Sequence, residues 1–367
     1  MSGASVRMNP PPKEKADWTF TLANDRRLKE GAWSVRHSAV RKVHAVKLCG
    51  ADPECVRFAV YEALERVGAY FEFTGTVLPK RFGLEKLVGV DVTVVPFAKV
   101  RSVKHYINFA VDISCFSRAD ARAVILNQAR MKYTAISFQF FEGFWMPQEG
   151  EDPKVLAGNY FYNARHVLPD YPLVKDNNVN RRIHCIPEAE ETIDDARKRS
   201  DFAIRWLQDL VAYSREVGLK VIAAAELTCE TPEQNAEMIK HLIERYPGVT
   251  TLEIITPECG GAQVNQTADE QREHFRRVFG DEELMAKFGK RGVFKERLRQ
   301  FHGIMIYLKR AIDTTPFIRP WLLDRGIEFS VGSYSKCPST VMASIEIMRK
   351  HLPPDVVKTY LIQYGSC

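Results

Sequence analysis

An α/β fold of parallel βαβ units behind a small α+β layer is what this sequence predicts. Three observations carry the prediction. From residue 101 onward, short β-rich runs alternate with helical patterns. The run YTAISFQFF (133–141) is apolar almost throughout, as a strand covered on both faces should be. Several helical patterns also carry their own start and stop residues (Asp52-Pro53 and Gly68, Thr231-Pro232 and Pro247-Gly248), so they cannot run on into the next strand.

Taken in order, residues 1–39 read as a disordered or extended segment, Pro- and Lys-rich at its start. A small α+β domain spans 40–100. VHAVKLCG (43–50) is its first firm strand. Asp52-Pro53 opens a helix that sets Val56, Val60, Ala63, Leu64 and Val67 on one face, and Gly68 closes it. AYFEFTG then reads as an alternating strand, and Leu84–Val103 as further short strands broken at Pro96.

The α/β domain spans 101–367. Ser117 caps a helix over 118–130, with Ala121, Val124, Ile125 and Gln128 on its inner stripe. Strand 133–141 follows, then a long segment (148–199) of aromatics and prolines with little periodicity. Loops of that length usually serve function. A helix beginning at Ser200 runs to Gly218, and LKVIAAAEL (219–227) is a strand ending at Glu226. Thr231-Pro232-Glu233 starts the next helix, which Tyr246-Pro247-Gly248 stops near Arg245. Strand 249–256 follows. Residues 268–325 are mainly helical with a break near Asp313-Thr314. IEFSVGSYS (327–335) is a strand, 338–350 a helix and VKTYLIQYG (357–365) a last strand.

Composition excludes several classes. The chain has 367 residues, 45% hydrophobic and 27% charged, with a net charge of +6. Basic and acidic residues alternate nearly everywhere, which argues for a solvated surface and against nucleic acid. The eight cysteines form no CxxC and precede no histidine at zinc-finger spacing, so free thiols in a reducing compartment fit them best. No secretory signal and no apolar run of membrane-spanning length is present, so the expected location is soluble and cytoplasmic. No cofactor, metal or membrane partner is expected. GxSxG elbows, glycine-rich phosphate loops and His-Glu-x-x-His helices are all missing from the sequence.

Chemistry in parallel α/β folds sits at the carboxyl ends of strands. Three glutamates occupy such ends: Glu142, Glu226 and Glu258. Glu258 stands in Pro257-Glu258-Cys259-Gly260-Gly261, where two glycines let the backbone turn beside the carboxylate. Each of the three also reads as a solvated rim residue.

The order of parts resembles a known group. VRFAVYEALERVGAYFEFTGTVLP (56–79) resembles the small domain that precedes the catalytic barrel in α-glucuronidases and β-hexosaminidases. RSVKHYINFAVDIS, the helix after it and YTAISFQFF look like entry into a TIM-type (β/α)8 barrel and its first strand. Two departures stand against a complete match. Thr256-Pro257-Glu258-Cys259 lacks the aspartate that pairs with glutamate in hexosaminidases, which argues against substrate-assisted chemistry. Five barrel strands are countable where a closed barrel has eight, so the expectation is a truncated barrel or a missing C-terminal portion. Uncounted strands in 86–103 and 148–199, or a covered sheet edge, are the alternatives.

The resemblance implies a carbohydrate-active glycoside hydrolase-like protein that cleaves uronic acid or amino sugar linkages with paired carboxylates. Glu258 would be general acid and Glu226 its partner. Glu142, Gln139, Trp145, Tyr162, Arg165, His166, Tyr334 and Tyr364 would contact the sugar through rings, hydroxyl partners and a carboxylate clamp. Loop packing accounts for such aromatics equally well. The other reading is a non-catalytic carbohydrate-binding or scaffold protein on a truncated barrel, with oligomerisation as a further expectation.

Overall fold

The structure, a computed structural model, describes residues 17–106, 113, 116–140, 196–227, 229–255, 267–290, 301–335 and 338–362. These form two compact units. The first draws on Met1–Val103, Arg118–Ile136 and Tyr213–Leu219; the second takes Lys104–Ser117, Ser137–Ala212 and Lys220–Cys367.

The first unit is a mixed sheet under a helix. Its strands are β1 (Trp18–Asn24), β2 (Trp33–Val40), β3 (Val43–Gly50) and β6 (Asp91–Val94), in the order β1-β3-β2-β6. β1 runs parallel to β3, while β2 is antiparallel to both β3 and β6. Helix α1 (Pro53–Arg66) starts where expected. Asp52 accepts the Cys55 N–H at 2.8 Å, and Pro53 needs no partner in the first turn. Phe58, Ala59 and Ala63 face Trp33, Val35, Val46 and Leu48 in one buried cluster, each large apolar side chain contributing about 1.5–3 kcal/mol. Gly50 permits this packing, because a Cβ there would lie 2.1 Å from the Val56 nitrogen.

Two strands, β1 and most of β2, lie ahead of residue 40, so the sheet recruits part of the segment expected to be disordered or extended. The expected single strand over AYFEFTG is a tight antiparallel pair, β4 (Tyr70–Glu72) and β5 (Gly75–Val77). It is held to helix α2 (Arg118–Arg130) by the Thr76 hydroxyl donating to Asn127 at 3.0 Å and by Arg130 donating to Thr76 at 2.8 Å.

The main sheet has six strands: β7 (Ser102–Tyr106), β8 (Ala135–Phe140), β9 (Lys220–Ala225), β10 (Thr251–Ile255), β11 (Glu328–Ser335) and β12 (Val357–Ile362). They lie side by side in chain order. Registers are parallel from β9 to β12. That succession is the winding of a (β/α) barrel; a doubly wound sheet would reverse order at a switch point. The architecture is therefore a small mixed-sheet domain followed by a parallel β/α half-barrel.

Among the described residues the sheet has one strand more than the five expected. β7 precedes the strand taken to be first, and its charged sequence SVKHY hides it. Strand β8 is buried at all six positions. Helix α3 (Ala196–Glu216) ends at Gly218, whose φ of 85° suits glycine. Helix α4 (Pro232–Arg245) has a full capping box between Thr231 and Gln234. Its buried face ends at Tyr246, whose ring lies 5.3 Å from that of Phe140.

Helices α5 (Ala268–Phe279), α6 (Glu282–Lys290) and α7 (Phe301–Asp324) occupy the expected helical stretch. The break expected near Asp313-Thr314 is absent: α7 runs unbroken through Pro316 and Pro320. The Thr315 hydroxyl donates to the Ala311 carbonyl at 2.7 Å, Lys309 pairs with Asp313, and Met305, Leu308, Ala311, Ile318 and Leu322 are buried. Packing thus outweighs the two backbone hydrogen bonds the prolines remove. Helix α8 (Pro338–His351) leads to β12. No helix among the described residues is long and apolar enough to cross a membrane.

Candidate functional site

Strand register brings the site residues together. β9 and β10 align Ala224 with Glu253 and Ala225 with Ile254. β10 and β11 align Glu253 with Ser330 and Ile255 with Gly332. β11 and β12 align Gly332 with Thr359. Because side chains alternate, Ala224, Glu253 and Ser330 share one face and one row. One step of two residues toward the carboxyl ends, Glu226, Ile255, Gly332 and Thr359 form the next row.

Glu226 stands one residue past the end of β9, where three buried alanines precede it, and is itself only 8% exposed. Gln139, penultimate in β8 and also buried, donates from Nε2 to Glu226 Oε1 at 3.4 Å. Sequence reasoning nominated both residues, and the fold unites them. Alternation puts the small Ala224 below Glu226 and the apolar Ile254 and Phe138 on the opposite face, so the carboxylate's direction follows from the strand pattern.

A second group on this face was not foreseen. Lys104 in β7 pairs with Glu253 in β10, Nζ to Oε2 at 2.7 Å, with side chains 19% and 12% exposed. Thr359 in β12 donates its hydroxyl to the other carboxylate oxygen, Oε1, also at 2.7 Å. β7 and β10 are three strands apart, about 14 Å along a flat sheet. Side chains standing off a flat sheet would not meet across that span, so the pairing requires the inner face to be concave.

The residues Lys104 crosses are small. The Arg101 carbonyl accepts from both Thr134 and Ala135, and the rings of His105 and Phe138 lie 6.3 Å apart, which together place Ser137 beside Lys104. Ser137 and Ala224 lie between Lys104 and Glu253, leaving room for the lysine stem. The buried Ser137 hydroxyl has no hydrogen-bond partner among the described residues. Gly332 serves the same end: a Cβ there would sit 2.7 Å from Thr359 Oγ1 and 3.4 Å from Glu253 Oε1. Barrel interiors are usually filled by branched apolar side chains; in these two rows only Ile255 and Val357 are of that kind, and the other described positions are small, polar or charged. The one signal in the sequence was the lone charge within the apolar strand TLEII.

The remaining nominated residues divide as follows. Glu258, Glu142 and Tyr364 lie outside the described residues, as do Trp145, Tyr162, Arg165 and His166. Tyr334 lies on β11, its backbone level with Leu361 of β12. Among the described residues no group of three or more His, Cys, Asp or Glu is arranged to hold a metal.

No protein-family model matches the chain, and no curated protein matches it. Solved structures do. A GH138 enzyme targeting pectin rhamnogalacturonan II aligns over 93% of this chain and 33% of its own, at 12% identity and TM-score 0.39. The chitobiase of Flavobacterium johnsoniae aligns over 97% and 50%, at 9% identity and TM-score 0.43. A beta-N-acetylhexosaminidase aligns over 95% and 71%, at 11% identity and TM-score 0.46. The chain thus spans a third of the first enzyme and half of the second. In structure it is distantly similar to glycoside hydrolases of the GH20 and GH138 groups.

Proposed function

We propose that this chain is a carbohydrate-active, glycoside hydrolase-like protein that cleaves uronic acid or amino sugar linkages by paired carboxylates. Glu226 is one member and Glu258 the general acid. The observation that carries the proposal is Glu226 itself: a buried carboxylate at the carboxyl end of a parallel strand, on the concave face, with Gln139 donating to one oxygen. Such a donor orients a carboxylate for attack or proton transfer. Glu258 follows β10, the strand beside β9, so its position along the chain supports a rim partnership with Glu226.

A second reading, a non-catalytic carbohydrate-binding protein on the same scaffold, is supported by Glu253. This is the nearest other described carboxylate on the face, about 8 Å from Glu226 by backbone spacing. Both its oxygens are already committed, to Lys104 and Thr359. If Glu258 does not complete the pair, no described carboxylate does.

Turnover of aryl glycosides of glucuronate and N-acetylhexosamines separates the two. Glu226→Gln and Glu258→Gln should each cut turnover by about 10²–10⁴-fold while calorimetric binding of the parent sugar persists. Binding without turnover in the wild type would establish the second reading instead.

A further inference from the structure

The first unit contains a histidine pair whose hydrogen bonds admit only one protonation state. His37 on β2 and His44 on β3 meet with Nε2 and Nδ1 2.9 Å apart. The other His37 nitrogen, Nδ1, receives the Gly89 backbone N–H at 3.0 Å. A backbone N–H can only donate, so His37 Nδ1 must be bare and the ring's proton must sit on Nε2. That proton then points at His44 Nδ1, which must be bare as well. Trp18 of β1 covers the pair, stacked on His44 at 4.4 Å and 14° and tilted against His37 at 5.9 Å.

The chain of bonds therefore runs one way, from Gly89 through His37 to His44, with both rings neutral. A proton added at His44 Nδ1 sets one N–H against another. A proton added at His37 Nδ1 expels the Gly89 N–H. No site on either ring accepts a proton and keeps both links. We infer that the pair is an acid-released latch on the turn at 88–90, which leads into the edge strand β6.

Gly89 sits at φ 76°, and His37 grips the turn twice, since its own N–H also donates to the Val90 carbonyl at 2.7 Å. Few charges bear on the rings. Arg36 and Asp91 pair with each other at 3.2 Å, and alternation turns them and Lys47 to the opposite face of the sheet. Asp17 precedes Trp18, and Arg41 and Lys42 form the β2–β3 turn; none of these bonds to either ring. From β1, β2 and β3 the groups facing the pair are Trp18, Phe20, Val35, Ala39 and Val46. Adding a proton to either ring breaks one of the two links, so acid is the trigger that this geometry sets.

Hydrogen exchange on the full chain, read by mass spectrometry over the peptide containing 83–90 and corrected for intrinsic rates, tests this. Protection should fall about five- to tenfold between pH 7.5 and pH 5, the size of one lost hydrogen bond. His37→Asn keeps an acceptor near the Nδ1 position but does not titrate, so its protection should be flat across that range. Unchanged wild-type protection, or a pH step that survives in His37→Asn, overturns the latch. Ring nitrogen spectra of the wild type give a check that needs no variant. Both histidines should carry their proton on Nε2 at neutral pH, and a proton on Nδ1 of either defeats the argument.

Discussion

Cys55 shows what burial does to a single reactive group. It lies in the first turn of α1, 2% exposed, and desolvation, followed by the nearby Asp52, pushes its thiol up to about 12. A thiol held neutral is a poor nucleophile. In native protein at pH 8, iodoacetamide followed by mass spectrometry should leave Cys55 and the equally buried Cys49 unlabelled, while the half-buried Cys229 reacts. Gly332 makes a contrasting point about space. Gly332→Ala drives a methyl into the Thr359–Glu253 bond and should cost about 1–3 kcal/mol by urea unfolding. Glu226 and Gln139 were legible as residues because a carboxylate at a strand's end and a polar side chain in an apolar strand both stand out from their neighbours. Lys104 was not, since a lysine in SVKHY looks like any solvated one.

At the scale of elements, capping chemistry was the most readable signal. Helix α4 begins where Thr231, Pro232 and Gln234 say it must, and Thr231→Ala should lower the stability of the fold by about 1 kcal/mol, read as a shift in the urea midpoint. Asp281 heads α6 in the same way and adds a pH dependence. Burial works to raise its carboxyl, but the Leu284 N–H and the Lys350 ammonium outweigh burial and hold it below the ordinary aspartate value. Because the folded value is the lower one, its stabilisation is complete above about pH 4 and is lost as pH falls through that lowered value. Asp281→Asn should therefore flatten the decline of the urea midpoint with acid below about pH 4. The element signals failed where two rules competed. Threonines and prolines within 313–320 speak for a break, yet α7 continues, because the residues around them are buried and side-chain bonds replace part of the lost ladder. Strand β7 escaped notice for the opposite reason: its inner residue is charged and finds its partner 149 residues later.

At the scale of the whole sheet, the Lys104–Glu253–Thr359 group ties strands that are not neighbours. Lys104→Met leaves a mostly buried carboxylate without its cation and should destabilise the protein by about 2–3 kcal/mol. Adding Glu253→Leu to Lys104→Met should restore much of that loss, since the desolvated charge goes too. Additive single-variant effects in urea unfolding would mean the pair is not coupled. The sequence by itself determined most of the alternation of helix and strand and the capped helix starts at Pro53 and Pro232, because each depends on residues within one turn or one pleat of each other. Tertiary structure alone decided which face is concave, that a polar layer lines it, and that Gln139 stands against Glu226. Those facts arise from pairings 87, 106 and 149 residues apart in the chain, and no local pattern encodes a partner at that distance.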